Sequence, residues 1–240
     1  MSTMLYEGKA KRIWTVDEDP TAVVMEFKDD ATAFNGQKRG TIVDKGIVNA
    51  RLSALLFAVL ERAGVPTHFR EQLDERRLLV DRLEMVALEV VARNIAAGSL
   101  VKRTGLGEGA ALAPPIVEIY YKNDDLGDPL INDEHVAALG LATPERLAEA
   151  KTQARSVNRV LSDVFREMNI LLVDFKLEFG LRDGQLTLGD EITPDTCRLW
   201  DATTRERLDK DRFRQDLGGV EDAYREVLKR VTEVAPRGAV

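Results

Sequence analysis

LLVDFKLEFGLRDGQLTLGDEITPDTCRLWD, residues 171–201, sets the frame for the whole chain. From Leu171 to Leu181 the residues largely alternate, with Val173, Phe175, Leu177 and Phe179 on one side of a strand and Asp174, Lys176 and Glu178 on the other. Asp183-Gly184 suits the positive φ values of a tight hairpin turn. A second strand from Leu186 to Gly189 then runs into Asp190-Glu191 and Pro194. Acids flanking a lysine beside a Phe-rich core do nothing for folding, but they suit a metal-bound phosphate. A two-residue turn pairs Gln185 with Arg182 and Gly189 with Glu178, and strict alternation then sends Asp190 to the face opposite Glu178. A three-residue turn with Gly184 left-handed would instead aim Leu186 and Leu188 at the acids. The expectation is therefore a break at Gly189, the glycine letting Asp190 swing back; an unbroken ladder through Glu191 would exclude it.

At 240 residues the chain has room for one large domain or two small ones. Its 44% hydrophobic and 31% charged content is ordinary for a globular protein. No run approaches the ~18 apolar residues of a membrane span, and MSTMLYEGKAKR lacks a signal peptide's apolar stretch. A single cysteine, Cys197, excludes an intrachain disulfide and a multi-cysteine zinc site, and two distant histidines argue against a His-rich centre. These features point to the cytoplasm. A net charge of −7 disfavours nucleic acid as a partner but leaves room for local Lys/Arg clusters that hold small anions.

LYEGKAKRIWTV, a DEDP turn and AVVMEFKD read as one hairpin over residues 5–29. Gly8 there either admits a phosphate to the backbone, with Lys9 and Lys11 on one face, or belongs to a solvated basic edge strand. DDATAFNGQKRGTIVDKG reads as a loop. Asp44 is expected to cap a helix to Arg62, closed by Gly64, with Lys45 either a ligand residue or surface. Short strands follow (THFRE, RRLLVDRLE, VALEVVARN), with Glu84-Met85-Val86 between two of them, its backbone either pairing with a flat ring or serving as an ordinary strand connection. ARNIAAGSLVKR offers Arg93 and Ser99 as an anion clamp, or else a capped helix start with a structural ion pair. Ile116–Lys122 forms a strand before an acidic loop holding Asp128, and Lys122 beside it suits an anionic substrate. Thr143-Pro144 opens a long helix to Met168. The charge run 209–214, containing Arg214, precedes a last helix from about Val220 to Val234.

YEGKAKRI, LEVVARNIAAGSLVKR, KNDDLGDP, LLVDFKLEFG and GDEITPDTCRLWDATT, in this order and spacing, resemble the SAICAR synthetase (phosphoribosylaminoimidazole-succinocarboxamide synthase) family from about Leu5 to Val231. Thr193 and Thr196 stand where serine is common, and Ile95 replaces a bulkier or polar residue. The resemblance implies an α+β, two-lobed fold like that of protein kinases. A small β-rich N-terminal lobe with one long helix would span residues 1–84, and a larger α/β lobe residues 85–240. It implies an ATP- and Mg²⁺-dependent ligase joining L-aspartate to the carboxylate of carboxyaminoimidazole ribonucleotide, and a homodimer. Gly8, Lys9 and Lys11 would meet the nucleotide phosphates, and Glu84, Met85 and Val86 the adenine. Glu178 and Asp190 would hold the metal, Arg93, Ser99 and Arg198 the 5′-phosphate, with Asp174, Lys176 and Arg198 at the reacting end. Lys122, Asp128 and Arg214 are candidates for aspartate. The alternative, a kinase-like phosphotransferase acting on a hydroxyl, lacks its His-Arg-Asp, Asp-Phe-Gly and G-x-G-x-x-G motifs here.

Overall fold

The computed structural model describes residues 3–34 and 36–234. Runs rich in β-branched and aromatic residues, cut by turn formers, give its longer strands. In chain order the elements are β1 (Met4–Glu7), β2 (Lys11–Thr15), β3 (Ala22–Phe27), β4 (Asp30–Ala33), β5 (Lys38–Thr41), α1 (Lys45–Arg62), β6 (Phe69–Gln72), β7 (Arg77–Asp81) and β8 (Glu84–Ile95). Then come α2 (Ser99–Thr104), β9 (Ala111–Tyr121), β10 (Leu130–Ile131), α3 (Asp133–Ala138), α4 (Pro144–Glu167), β11 (Ile170–Arg182), β12 (Gln185–Leu188), β13 (Cys197–Asp201), α5 (Asp211–Arg214) and α6 (Val220–Val234). One antiparallel sheet runs β1-β2-β3-β7-β6; a second runs β10-β9-β8-β11-β12, with β13 also on β11.

Several local expectations change. The hairpin expected over residues 5–29 is three strands, because Gly8 N donates to Lys11 O at 2.8 Å and closes a turn inside it. The expected loop after Asp29 holds the β4–β5 hairpin, in which Asp30 pairs with Thr41; Asn35 within it lies outside the described residues. Helix α1 starts where expected, but Asp44 sits at φ 61 without a side-chain cap bond. Asp29 instead accepts from Gly46 N at 2.8 Å and satisfies one open donor of the first turn. Glu84, Met85 and Val86 are the first residues of β8 rather than a connection, with Met85 opposite Gly180. Thr143 does cap α4, accepting from Arg146 N at 3.2 Å. At the end of α1, Gly64 takes φ 81 and Val65 N reaches back to Leu60 O at 3.0 Å.

Helix α1 joins the two sheets. Ala50 and Ala54 pack with Val23, Met25, Phe27, Leu78 and Val80 of the first. Leu52, Leu55, Leu56, Phe57 and Leu60 enter the larger core with Leu161 and Phe165 of α4 and Phe175, Leu177 and Phe179 of β11. Each such side chain contributes about 1.5–3 kcal/mol on burial. A third stripe of α1 at i, i+4, i+8 spacing is polar yet buried: Lys45, Asn49 and Ser53.

Strand β11 has one whole edge and one divided edge. Strand β8 pairs along it from Asp174 opposite Arg93 to Leu181 opposite Glu84. On the other edge β12 covers Phe179–Arg182 and β13 covers Ile170–Phe175, both antiparallel. They are two pieces of one interrupted strand, and residues 189–196 bow out between them beside Lys176, Leu177 and Glu178. Gly189 N to Glu178 O (2.9 Å) and Lys176 N to Thr196 O (2.9 Å) fasten the ends of the bow.

Candidate functional site

The bow sets out the chemistry. The turn at Asp183-Gly184 has φ values of 52 and 79, and Gln185 pairs with Arg182, so alternation alone would carry Asp190 away from Glu178. The ladder of β12 stops at Leu188, as expected, but the residue that turns the chain is Asp190 itself, at φ 59. Gly189 serves a different need: a Cβ there would lie 3.1 Å from Leu83 Cδ1 and 3.6 Å from Met85 Cε, so its lack of a side chain makes room for the start of β8.

The turn brings Asp190 to Lys176 at 3.3 Å, and Lys176 also holds Glu178 and lies 3.3 Å from Glu89. Lys11 from β2 pairs with Asp190 and, at 3.0 Å, with Glu191. Lys122, just after β9, reaches Glu178 at 2.8 Å and Glu89 at 3.5 Å. Burial pulls the Lys176 ammonium down, but Asp190, Glu178 and Glu89 outweigh it and hold it well above the usual lysine range. Burial likewise opposes charge on Asp190, and Lys11 and Lys176 reverse this, keeping it ionised far below the usual range. The cluster is a compensated set of cations and carboxylates poised to exchange partners with a charged ligand.

These residues line a cleft of ≈ 820 Å³ built from both sheets. Its lining also includes the apolar Ile13, Val23, Met25, Val80, Leu83, Met85 and Val86. Of the residues expected from sequence, Gly8, Lys9, Lys11, Met85, Val86, Lys122, Asp128, Lys176, Glu178, Asp190 and Arg214 all line it. Lys9 is exposed and pairs with Asp124 at 2.9 Å. Glu84 is exposed at the strand start, outside the lining.

Arg93, Ser99, Asp174 and Arg198 come together separately, further along the same strands. A register shift of β11 against β13 between Leu172 and Asp174 puts Val173 with Ala97 and Trp200 rather than in the main core, which departs from the simple alternation expected. Asp174 Oδ2 accepts from Arg93 Nη1 at 2.5 Å and from Arg198 Nη1 at 2.9 Å, and its Oδ1 accepts from Arg198 Nη1 at 3.0 Å. Arg93 further donates to Glu118 (2.7 Å) and to Ser99 Oγ (3.3 Å), and Arg198 to Asp211 (2.8 Å). Gly98 lies flat against Arg198, since a Cβ there would come within 2.6 Å of its Nη2. Asp174 therefore faces two guanidiniums and is not among the residues lining the cleft.

Glu89 went unread in the sequence, and Lys45 and the run 209–214 lie deeper than it indicated. Glu89 lies opposite Glu178, on the face that LEVVARN shares with Arg93, so its alternation was a usable signal. Lys45 is not a surface residue: its buried ammonium pairs with Asp195 at 2.8 Å, a partner 150 residues away. Asp195 also accepts from Tyr224 Oη at 2.5 Å and faces Lys210 at 3.8 Å, tying the bow to α1 and α6. The charge run 209–214 is partly interior, with Asp209 fully buried.

Asp209 accepts from Leu199 N at 2.8 Å and from Asp211 N at 2.7 Å. Burial first, and then the neighbouring Asp211 carboxylate, push its carboxyl up to about 7. A carboxyl raised in the folded state favours the protonated fold. Its contribution to stability is thus full in acid and is lost as pH rises from the ordinary carboxylate range through about 7. Carboxyl carbon NMR is expected to show one aspartate of this pair titrating near neutrality; flat resonances between about pH 5 and 8 would exclude the shift.

A cleft lined by apolar side chains together with paired lysines and carboxylates defines the class: a mixed α/β protein with a small-molecule cleft. The family model described as SAICAR synthetase matches residues 4–231. The phosphoribosylaminoimidazole-succinocarboxamide synthase of Desulfitobacterium hafniense (strain Y51) is 59% identical over 231 residues, 96% of this chain and 97% of that protein. The crystal structure of the synthase of that name from Ehrlichia chaffeensis superposes with a TM-score of 0.94 at 43% identity, covering 98% of this chain and 100% of that one. A SAICAR synthetase (Type-2) in complex with ADP superposes with a TM-score of 0.92 at 49% identity, covering 97% and 99%. The chain belongs to the SAICAR synthetase family.

Proposed function

We propose that this chain is an ATP-dependent ligase of purine biosynthesis that condenses L-aspartate with the carboxylate of carboxyaminoimidazole ribonucleotide, giving SAICAR, ADP and phosphate. The observation that carries the chemistry is Lys176 joining Glu178 and Asp190 in a cleft that also offers apolar side chains. The substrates come from the full-length likeness to the synthases, one of which is a complex with ADP.

A carboxylate is a poor electrophile. In this reading its oxygen attacks the γ-phosphorus of ATP, ADP leaves, and an acyl phosphate forms. The aspartate amine then attacks the acyl carbon, and phosphate departs with the proton the amine gives up. Met85 and Val86 border the base, while Lys11 and Lys176 meet the phosphates and offset charge where anion approaches anion. Arg93, Ser99 and Arg198 hold the 5′-phosphate. Asp174, its oxygens taken by two guanidiniums, positions those arginines instead of moving a proton. Lys122, Asp128 and Arg214 are left for aspartate.

Mg²⁺ fits this donor set. Among the described residues no group of three or more His, Cys, Asp or Glu side chains could hold a metal alone. Mg²⁺ characteristically takes one or two carboxylates and fills its shell with water and phosphate oxygens. Glu178 and Asp190, close enough to share one ammonium, are such a pair. When bound there, the ion would neutralise phosphate charge.

The two sheets are read as a kinase-like pair of lobes, 1–84 and 85–240, with the cleft between. A cytoplasmic homodimer without nucleic-acid or membrane partners completes the proposal. Among the described residues no helix is long and apolar enough to cross a membrane. The test is ADP release: formation that requires both aspartate and the ribonucleotide supports the ligase, whereas transfer to hydroxyl acceptors without them replaces it with the phosphotransferase.

A further inference from the structure

Near the end of β8 stands an amide that this mechanism does not use. Asn94 follows Leu88, Val90 and Ala92 on the face turned to the main core, opposite the face that carries Glu89 and Arg93. It forms a reciprocal pair with Asn158 of α4, each Nδ2 donating to the other's Oδ1 at 2.8 Å. The same Asn94 Nδ2 donates to the Leu172 carbonyl of β11 at 3.0 Å. Asn158 is buried, and Ser162 Oγ donates to its Oδ1 at 3.4 Å.

Leu172 is where β11 changes parity. Ile170 and Leu172 enter the main core, and after them Phe175, Leu177 and Phe179, an even-numbered row followed by an odd one. Leu172 stands opposite Leu199 of β13 and Asp174 opposite Arg198, so two steps on β11 match one on β13 and Val173 is the extra residue of a bulge. On the other edge Asp174 stands opposite Arg93 of β8. Asp174, Arg93 and Arg198 thus share one row across three strands. Without the bulge Arg198 would stand opposite Val173, and the row would lose its carboxylate. Beyond the Arg93–Asp174 pair the β8–β11 ladder stops, and the Asn94 amide carries the junction on to the Leu172 carbonyl. Amides bonded through both nitrogen and oxygen in an interior specify a single arrangement. We propose that Asn94, held by Asn158, is a positioning residue for the ribonucleotide: its bond to Leu172 keeps the bulge at Val173, and with it Asp174 between the two arginines. The inference rests on reading Arg93 and Arg198 as holders of the 5′-phosphate.

The test measures kcat, the KM values for ribonucleotide and for ATP, and the melting temperature in the wild type, Asn94→Leu and the double variant Asn94→Leu/Asn158→Leu. Asn94→Leu leaves the Asn158 amide buried without its partner, so the melting temperature should fall. The double variant replaces both amides by apolar groups and should recover much of that loss. In both variants the ribonucleotide KM is expected to rise by about tenfold or more, because the arginines lose their alignment. The KM for ATP should stay within about twofold of the wild type's. Loss of folded protein alone lowers the apparent kcat and moves neither KM. A ribonucleotide KM in Asn94→Leu within about threefold of the wild type's overturns the inference. So does a double variant whose ribonucleotide KM returns together with its melting temperature, which would make the pair packing alone; this variant decides the matter if Asn94→Leu does not fold. If ADP release by the wild type does not depend on the ribonucleotide, the ligase reading falls first and this inference with it.

Discussion

Glu178→Gln and Asp190→Asn are each expected to lower turnover by more than about a hundredfold in an aspartate-dependent ADP-release assay. Both changes keep the shape of the side chain and remove its charge. Glu178 Oε1 receives Lys122 and Lys176 together, and Asp190 receives Lys11 and Lys176, so either substitution leaves a lysine pair short of a counter-charge. It also halves the carboxylate pair on which a divalent cation would depend. The backbone of the bow is fastened by main-chain bonds at Gly189 and Lys176, which neither change touches, so the fold should persist. A variant with near-normal kcat would remove that residue from the reacting end.

Asp174→Asn separates two roles for one carboxylate. As a positioning residue, Asp174 fixes Arg93 and Arg198. An amide would place an N–H₂ group against a guanidinium and break a buried ion pair. The expected cost is about 3 kcal/mol, at the low end for such pairs because Glu118 and Asp211 still hold the two arginines. The Michaelis constant for the ribonucleotide should rise more than about tenfold as the arginines lose their aim. As a general base, Asp174 would behave differently: kcat would fall while the melting temperature and the ribonucleotide KM stayed put. Measuring all three in one variant decides between the roles.

The alternation of β11, the turn at Asp183-Gly184, the cap at Thr143 and the helix stop at Gly64 were legible because each depends on residues a few positions apart. The need for a break before Asp190 was legible for the same reason, since counting from a two-residue turn fixes the face of every residue after it. What supplies the break was not: a left-handed aspartate is uncommon, and the reason for Gly189 lies in Leu83 and Met85, a hundred residues earlier. The slip between Leu172 and Asp174 depends on β13, a strand the sequence did not announce. Lys45 could be read only as a ligand residue or a surface lysine because the aspartate it pairs with follows 150 residues later. Local chemistry thus indicated which side chains matter; their pairing required the tertiary structure.

The polar stripe of α1 ties activity to global stability. Lys45 holds Asp195, and Ser53 Oγ accepts from Ile192 N at 3.4 Å, while neighbouring residues of the same helix fill the cores of both sheets. The bow that carries Asp190 therefore rests on the element whose loss dissolves the interior. The catalytic segment is thus expected to melt with the interior and not as a separate, low-stability unit. On heating, activity and the near-ultraviolet dichroism of the folded chain should be lost over the same temperature range, and loss of activity well before the dichroism would show the two to be uncoupled.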